Sequence, residues 1–362
     1  MKDGVATGRV ADDGTLPTLA SFPEEIAAAL EAWSGVAPSL RDARRLLTGA
    51  LGPEDAPRRP VSRRVREAAE AALADPRLEL LEVTRDPGDG FRKFLFRTPG
   101  DGALTEAVLI PLHRPGRFTV CLSSQVGCAM GCAFCATGRL GLTRNLETWE
   151  MLDAFRQVRN AAAPGRVTGA VFMGQGEPLQ NYDRVVRAAR LLSHPAGGRI
   201  SGKAITVSTV GVAPAIRRWA RERHPFRLVV SLTSLVPERR RALLPVVGRA
   251  PLEELLDAIE ELAAARLGQR VTVAWVAMSG VNTGDDEVDA LRRRLGHLPM
   301  RLNLIDVNDP RPDGFRPPDD AERSAFLDRL QVLGVPVVRR YTGGKTRDAA
   351  CGMLAARRHE SA

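Results

Sequence analysis

The stretch that decides the fold runs from Cys121 to Leu146 and reads CLSSQVGCAMGCAFCATGRLGLTRNL. The chain has five cysteines, and four of them fall here: Cys121, Cys128, Cys132 and Cys135. The last three are spaced C-x3-C-x2-C. A tetrahedral zinc site wants a fourth ligand at short range, usually from a second paired motif. Three thiolates on one tight loop suit a cubane [4Fe–4S] cluster better. Three ligands leave one iron open to a small molecule. Gly127 and Gly131 let the backbone close around such a group.

Around this stretch the chain alternates strands and helices. Strands are expected at Ala170–Met173, Ala204–Val210, Arg227–Leu232, Val271–Met278, Arg301–Val307 and Val335–Tyr341, with a helix between each pair. Six such units after the strand that leads into the cysteines predict a parallel sheet curled into a partial (β/α) barrel. No phosphate-binding glycine fingerprint is present. Before the cysteines, Leu78–Thr84, Phe91–Arg97, Ala103–Leu112 and Phe118–Leu122 read as short strands joined by Gly/Asp/Pro turns, a small antiparallel extension. Helices are expected at Pro23–Ala32, Leu40 to about Ala50 with Ser39 as N-cap, and Val61–Ala74. Residues 1–20 are small and polar and predict poor order.

The chain has 362 residues and a formal net charge of +9. Eight arginines against four acids between Arg41 and Glu67 make a basic helical module. A nucleic-acid partner explains this charge. Genomic base composition explains it as well, since the basic residues are nearly all Arg. No apolar run is long enough to span a membrane. The N-terminus lacks a secretory h-region. Clustered cysteines in odd number argue for a reducing, cytoplasmic setting over a disulfide framework.

Reactive groups in parallel barrels collect at the carboxyl ends of strands. Gly174-Gln-Gly176-Glu177 follows the second strand, where glycines admit a ligand and a carboxylate receives an ammonium group, or where the chain merely turns. Ser208, Thr209, Ser231, Thr233 and Asn308 end later strands and suit a ribose or carboxylate, or cap the local backbone. Cys351 sits in a polar, Gly-flanked tail and is a better nucleophile candidate than core filler. Glu106, alone in a strand, reads from its residues as solvent-facing.

The motif C-x3-C-x-Φ-C, with Phe134 as the aromatic, resembles that of the radical S-adenosylmethionine (SAM) superfamily. The longer string C-x-S-S-Q-x-G-C, C-x-F-C-x-T-G and G-x-x-R-N-L resembles the RlmN/Cfr family of RNA adenine methyltransferases, from about residue 80 to Leu354. The resemblance implies an α/β fold: a partial (β/α)6 radical SAM barrel at 114–346, an N-terminal helical domain at 1–75, a β extension at 76–113, and a tail at 347–362 carrying Cys351. It implies that Cys128, Cys132 and Cys135 ligate a [4Fe–4S] cluster. Phe134, Gly176, Glu177, Ser208, Ser231, Leu232, Thr233 and Asn308 then contact SAM.

It further implies that Cys351 takes a methyl group from one SAM, and that a radical from a second SAM activates it. The resulting methylene adds to C2 or C8 of adenosine in 23S ribosomal RNA or in transfer RNA. Glu106 would accept a proton, and Cys121 would resolve the protein–RNA adduct by a disulfide with Cys351. Implied partners are RNA and an electron donor such as flavodoxin or ferredoxin, with no membrane and a monomeric chain. The sequence departs from the family at Thr233, Ala274-Trp275, Met353 and Leu46-Leu47. These positions keep a second substrate class open, a small molecule or peptide methylated by the same chemistry.

Overall fold

A computed structural model of the chain describes residues 16–53, 59–265, 268–340 and 343–354. Most of the N-terminal stretch expected to be poorly ordered, and the end of the last expected strand at Tyr341, lie outside these residues. The first described residues form β1 (Leu16–Pro17), which pairs with β2 (Leu73–Ala74). Between them lie α1 (Pro23–Ser34), α2 (Leu40–Leu51) and α3 (Arg63–Ala72). Ser39 caps α2 as expected, its Oγ accepting from Asp42 N at 3.2 Å. Each of these helices turns a small apolar stripe inward: Ile26 and Leu30, Ala43 and Leu47, Ala68 and Ala72.

The extension is the antiparallel run β3 (Glu79–Arg85), β4 (Arg92–Arg97), β5 (Leu104–Pro111) and β6 (Arg117–Leu122). A hairpin follows, β7 (Gln125–Cys128) with β8 (Gly141–Asn145). It was not legible in the sequence. Gly127 sits there at φ +74°, where an added Cβ would lie 2.0 Å from the Gly141 carbonyl oxygen, so no side chain fits. Then come α4 (Thr148–Asn160), β9 (Arg166–Phe172), α5 (Tyr182–Ser193), β10 (Ile205–Thr209), α6 (Ala213–Glu222) and β11 (Arg227–Ser231). The chain continues through α7 (Pro237–Leu243), α8 (Leu252–Ala265), β12 (Val271–Ala277), α9 (Asp285–Leu295), β13 (Met300–Asp306), α10 (Asp320–Leu330) and β14 (Val337–Arg340).

One ten-stranded sheet results, in the order β14-β13-β12-β11-β10-β9-β6-β5-β4-β3. From β6 to β14 every neighbouring pair is parallel. This is the partial barrel anticipated from the repeat. Strand alternation sorts the side chains: Val207, Leu228, Val230, Val273, Trp275, Leu302 and Leu304 pack into the helix-side core, and their neighbours face the barrel interior. The N-terminal helices join the same core. Arg159 on α4 donates to the carbonyls of Leu51 and Gly52 at 2.9 and 2.7 Å, satisfying the end of α2. Among the described residues, no helix is long and apolar enough to cross a membrane.

Candidate active site

The carboxyl ends of the strands and the cysteine loop line one cavity that opens to solvent. Cys128 ends β7, Cys132 and Cys135 lie in the loop beyond it, and all three line that cavity. Cys128 and Cys132 are buried and Cys135 is half-buried. Burial, with help from neighbouring thiols, pushes Cys128 up to about 11 and Cys132 higher still. Such thiols ionise only beside a strong cationic charge, as metal ligands do. No group of three His, Cys, Asp or Glu among the described residues forms a site for a single metal ion. A cubane holds each thiolate on a different iron, so it does not require one shared ligand centre. The three-cysteine set therefore fits a cluster.

Phe134, Gly176, Glu177, Ser208, Ser231 and Asn308 line the same cavity. Glu177 is buried, and its carboxylate accepts from Leu179 N and Val210 N, both at 2.9 Å. Desolvation nevertheless holds its pKa up near about 7. A ligand ammonium would offset that penalty. Asn308 donates from Nδ2 to the Cys351 carbonyl at 3.2 Å, while its buried Oδ1 has no partner among the described residues. An unpaired buried acceptor on a cavity wall suits a polar ligand such as SAM. Leu232 and Thr233 are placed differently. The Leu232 side chain is in the helix-side core, and neither residue lines the cavity. Thr233 takes φ +62°, with Oγ1 3.3 Å from Ser231 Oγ.

Cys351 lines this cavity too, and also an adjoining one of about 1530 Å³ that Cys121 lines from β6. The tail is docked rather than free. Ala136 N donates to the Gly352 carbonyl at 2.7 Å and Thr137 Oγ1 to the Leu354 carbonyl at 2.6 Å. Thr346 donates twice to Asp86 Oδ2, from N at 3.1 Å and from Oγ1 at 2.6 Å, and Gly344 N donates to Asp89 Oδ2 at 2.7 Å. Cys351 is reachable from the cavities yet surrounded by protein, and desolvation pushes its thiol up to about 11. Burial, then the charge of Cys351, pushes Cys121 up to about 12.

Glu106 is not solvent-facing, contrary to what its residue context suggested. It is 1% exposed, pairs with Lys93 Nζ at 3.3 Å, and meets Gln175 Nε2 at 3.5 Å. The reason is a neighbour on β4: the Lys93 ammonium offsets part of the cost of burying a carboxylate. Glu106 borders neither cavity directly. It stands behind the Gly-rich turn, two residues along β5 from Val108, the register partner of Cys121.

Two contributors were missed. Arg240 on α7 is buried and donates to the carbonyls of Leu232 and Val210, tying together the ends of β10 and β11. Desolvation lowers it to about 10, and the Cys132 charge works the other way. Gln125 Oε1 accepts from Glu177 N at 2.8 Å, fixing the turn against the hairpin. Only the tripled arginines of 239–241 hinted at the first, and a solvated helix explains those equally well.

Three thiols, a strand-end carboxylate and an amide oxygen without a partner among the described residues share one barrel mouth, and residues 122–295 match the model of the radical SAM superfamily. A probable RNA methyltransferase from Anaeromyxobacter sp. is 51% identical over 88% of this chain and 94% of its own length. A probable dual-specificity RNA methyltransferase RlmN from Moorella thermoacetica is 40% identical over 74% of this chain and 76% of its own. The crystal structure of a radical SAM methyltransferase from Sphaerobacter thermophilus superposes with a TM-score of 0.83 at 35% identity, covering 94% of this chain and all of that one. The chain belongs to the radical SAM superfamily and, within it, to the RlmN family of methyltransferases.

Proposed function

We propose that the chain methylates an sp² carbon, C2 or C8, of adenosine in RNA, with 23S ribosomal RNA as the first substrate and transfer RNA as the second, through an S-methylcysteine at Cys351. What supports this is the placement of Cys351 between the cavity of Cys128, Cys132 and Cys135 and the cavity of Cys121. The names of the relatives point to RNA, and so does the net charge of +9.

The aromatic amidine carbon of adenine is not nucleophilic, so polar methyl transfer fails there. Cys128, Cys132 and Cys135 would hold the cluster, which supplies the electron that turns bound SAM into a source of a carbon radical. Glu177 and Asn308 would orient SAM through its amino and hydroxyl groups. Gly176, at φ +98° with no room for a Cβ beside Gln125, brings backbone against it. The Cys351 thiolate would attack the methyl carbon of one SAM, releasing S-adenosylhomocysteine and keeping the methyl group as a thioether. Once the activated methylene has joined the base, one electron would pass from the adduct back to the cluster, and Glu106 would receive the ring proton. The Cys121 thiolate then attacks Cys351 Sγ, forming the disulfide as the methylene takes up a proton. An electron donor such as flavodoxin or ferredoxin, a cytoplasmic location and a monomeric state belong to the same proposal.

The test is nucleoside mass spectrometry of RNA from cells with and without the gene. We expect 2-methyl- or 8-methyladenosine to disappear with it; identical spectra in every RNA fraction overturn the RNA substrate. The alternative, a small molecule or peptide, draws on Ala274, which lines the cavity where the family usually carries a longer acid. It predicts SAM turnover with a small-molecule extract and substrate binding insensitive to salt.

A further inference from the structure

The barrel interior carries a second constellation, three of its four members at the amino ends of the strands and the fourth, Arg340, shared with the cavities of the cysteines. Arg227 opens β11, Arg301 is the second residue of β13, and Arg270 directly precedes β12. These three and Arg340, which closes β14, line one open cavity of about 1330 Å³. The alternate residues Leu228 and Leu302 are in the helix-side core, so Arg227 and Arg301 face inward. The interior of a strand barrel is ordinarily filled by branched apolar side chains.

No acidic residue among the described residues lines this cavity. None of the four arginines has an ion pair or hydrogen bond with another described residue. Elsewhere the chain pairs its arginines: Arg239 with Asp286 and Glu287, Arg218 with Asp183 and Glu222. Four guanidinium groups lining one concave wall make a local excess of positive charge that favours an anion. Thr272 and Asn303 add hydrogen-bonding groups on the same wall.

We propose that this basin binds phosphate groups, two or more at adjacent spacing. Planar guanidinium forks converging without acids match phosphate oxygens in pairs. The ligand is either the backbone of an RNA strand or a free diphosphate compound. Val229, Asn303 and Arg340 border both this basin and the cavity of the cysteines, so the two are continuous. The inference stands apart from the methylation reaction, because its readout is binding.

Pyrophosphate and a short single-stranded RNA are titrated into the cluster-loaded protein, into Arg227→Gln/Arg301→Gln, and into Arg292→Gln/Arg293→Gln, which loses the same charge on the exposed face of α9. We expect at least one probe to bind the wild type with salt-sensitive affinity, the basin variant to lose about tenfold or more, and the α9 variant to lose less than about twofold. Pyrophosphate bound alone identifies a free phosphate compound. RNA bound alone identifies a nucleic-acid backbone. RNA displaced by pyrophosphate shows one subsite serving both. Neither probe bound, or equal loss in both variants, overturns the proposal. Phenylglyoxal modification of the wild-type chain, mapped by mass spectrometry, needs no variant. Either probe should protect Arg227 and Arg301, and unprotected arginines also overturn the site.

Discussion

Cys351 and Cys121 face each other across one cavity, the first from the docked tail and the second from β6, and a charge on Cys351 opposes one on Cys121. Burial is the larger cause raising each thiol, and the Cys351 charge adds to it at Cys121. This suits an attack by one sulfur on the other after the first has been alkylated and can no longer carry charge.

Cys121→Ala should consequently accumulate a covalent protein–RNA adduct in a single-turnover reaction, and Cys351→Ala should give none. A denaturing gel with labelled RNA decides it. An adduct in neither variant removes the resolving role.

Any one of Cys128→Ala, Cys132→Ala or Cys135→Ala should leave anaerobically reconstituted protein without the brown chromophore and without SAM-dependent change in its electron paramagnetic resonance. Full iron retention in a single variant would exclude that residue as a ligand.

Glu177 carries a pH signature. Its carboxyl is raised to about 7 in the folded chain from an ordinary 4.5. A raised acid favours folding below the ordinary value and loses that contribution as pH climbs through the folded one. The thermal midpoint of cluster-free wild type should therefore fall relative to Glu177→Gln between about pH 5 and pH 8. A gap independent of pH would show that the carboxyl is not buried as described.

Arg240→Met strips a guanidinium from three carbonyls, the buried ones of Leu232 and Ser234 and the half-buried one of Val210. The expected loss is about 3 kcal/mol of unfolding free energy, read from denaturant unfolding of the cluster-free protein. A loss below about 1 kcal/mol would mean that water takes over those carbonyls.

Asp86→Asn should loosen the tail. The Thr346 hydroxyl, before any other cause, holds the Asp86 carboxyl below its ordinary value. A depressed acid contributes above its ordinary value and loses that contribution as pH falls through the folded one. Near neutral pH the variant should show faster proteolysis after Gly343 and a several-fold drop in turnover. Unchanged cleavage would show that Asp89 alone suffices.

The barrel was legible because each strand and helix announces itself locally, through apolar runs closed by Gly and Pro. The cysteine spacing was legible because three ligands lie on one short loop. What escaped reading depends on distant pairing. The burial of Glu106 rests on Lys93 in a different strand. The docking of Thr346 rests on Asp86, 260 positions earlier. The inward arginines at 227 and 301 look like any basic surface until strand register turns them to the inside. Leu232 took its place beside Ser231 by motif, yet strand alternation sends its side chain to the opposite layer.

The stitching of Gly352 and Leu354 onto the loop at Ala136 and Thr137 has an implication for biosynthesis. A ribosome delivers the barrel and its cysteine loop well before the segment that closes over them. A nascent chain thus passes through an interval in which that loop exists without the carbonyls of Gly352 and Leu354 that fasten it. The pocket gains its last wall only after nearly the whole barrel has been made, so a chain cut short before Cys351 leaves the two cavities open on that side.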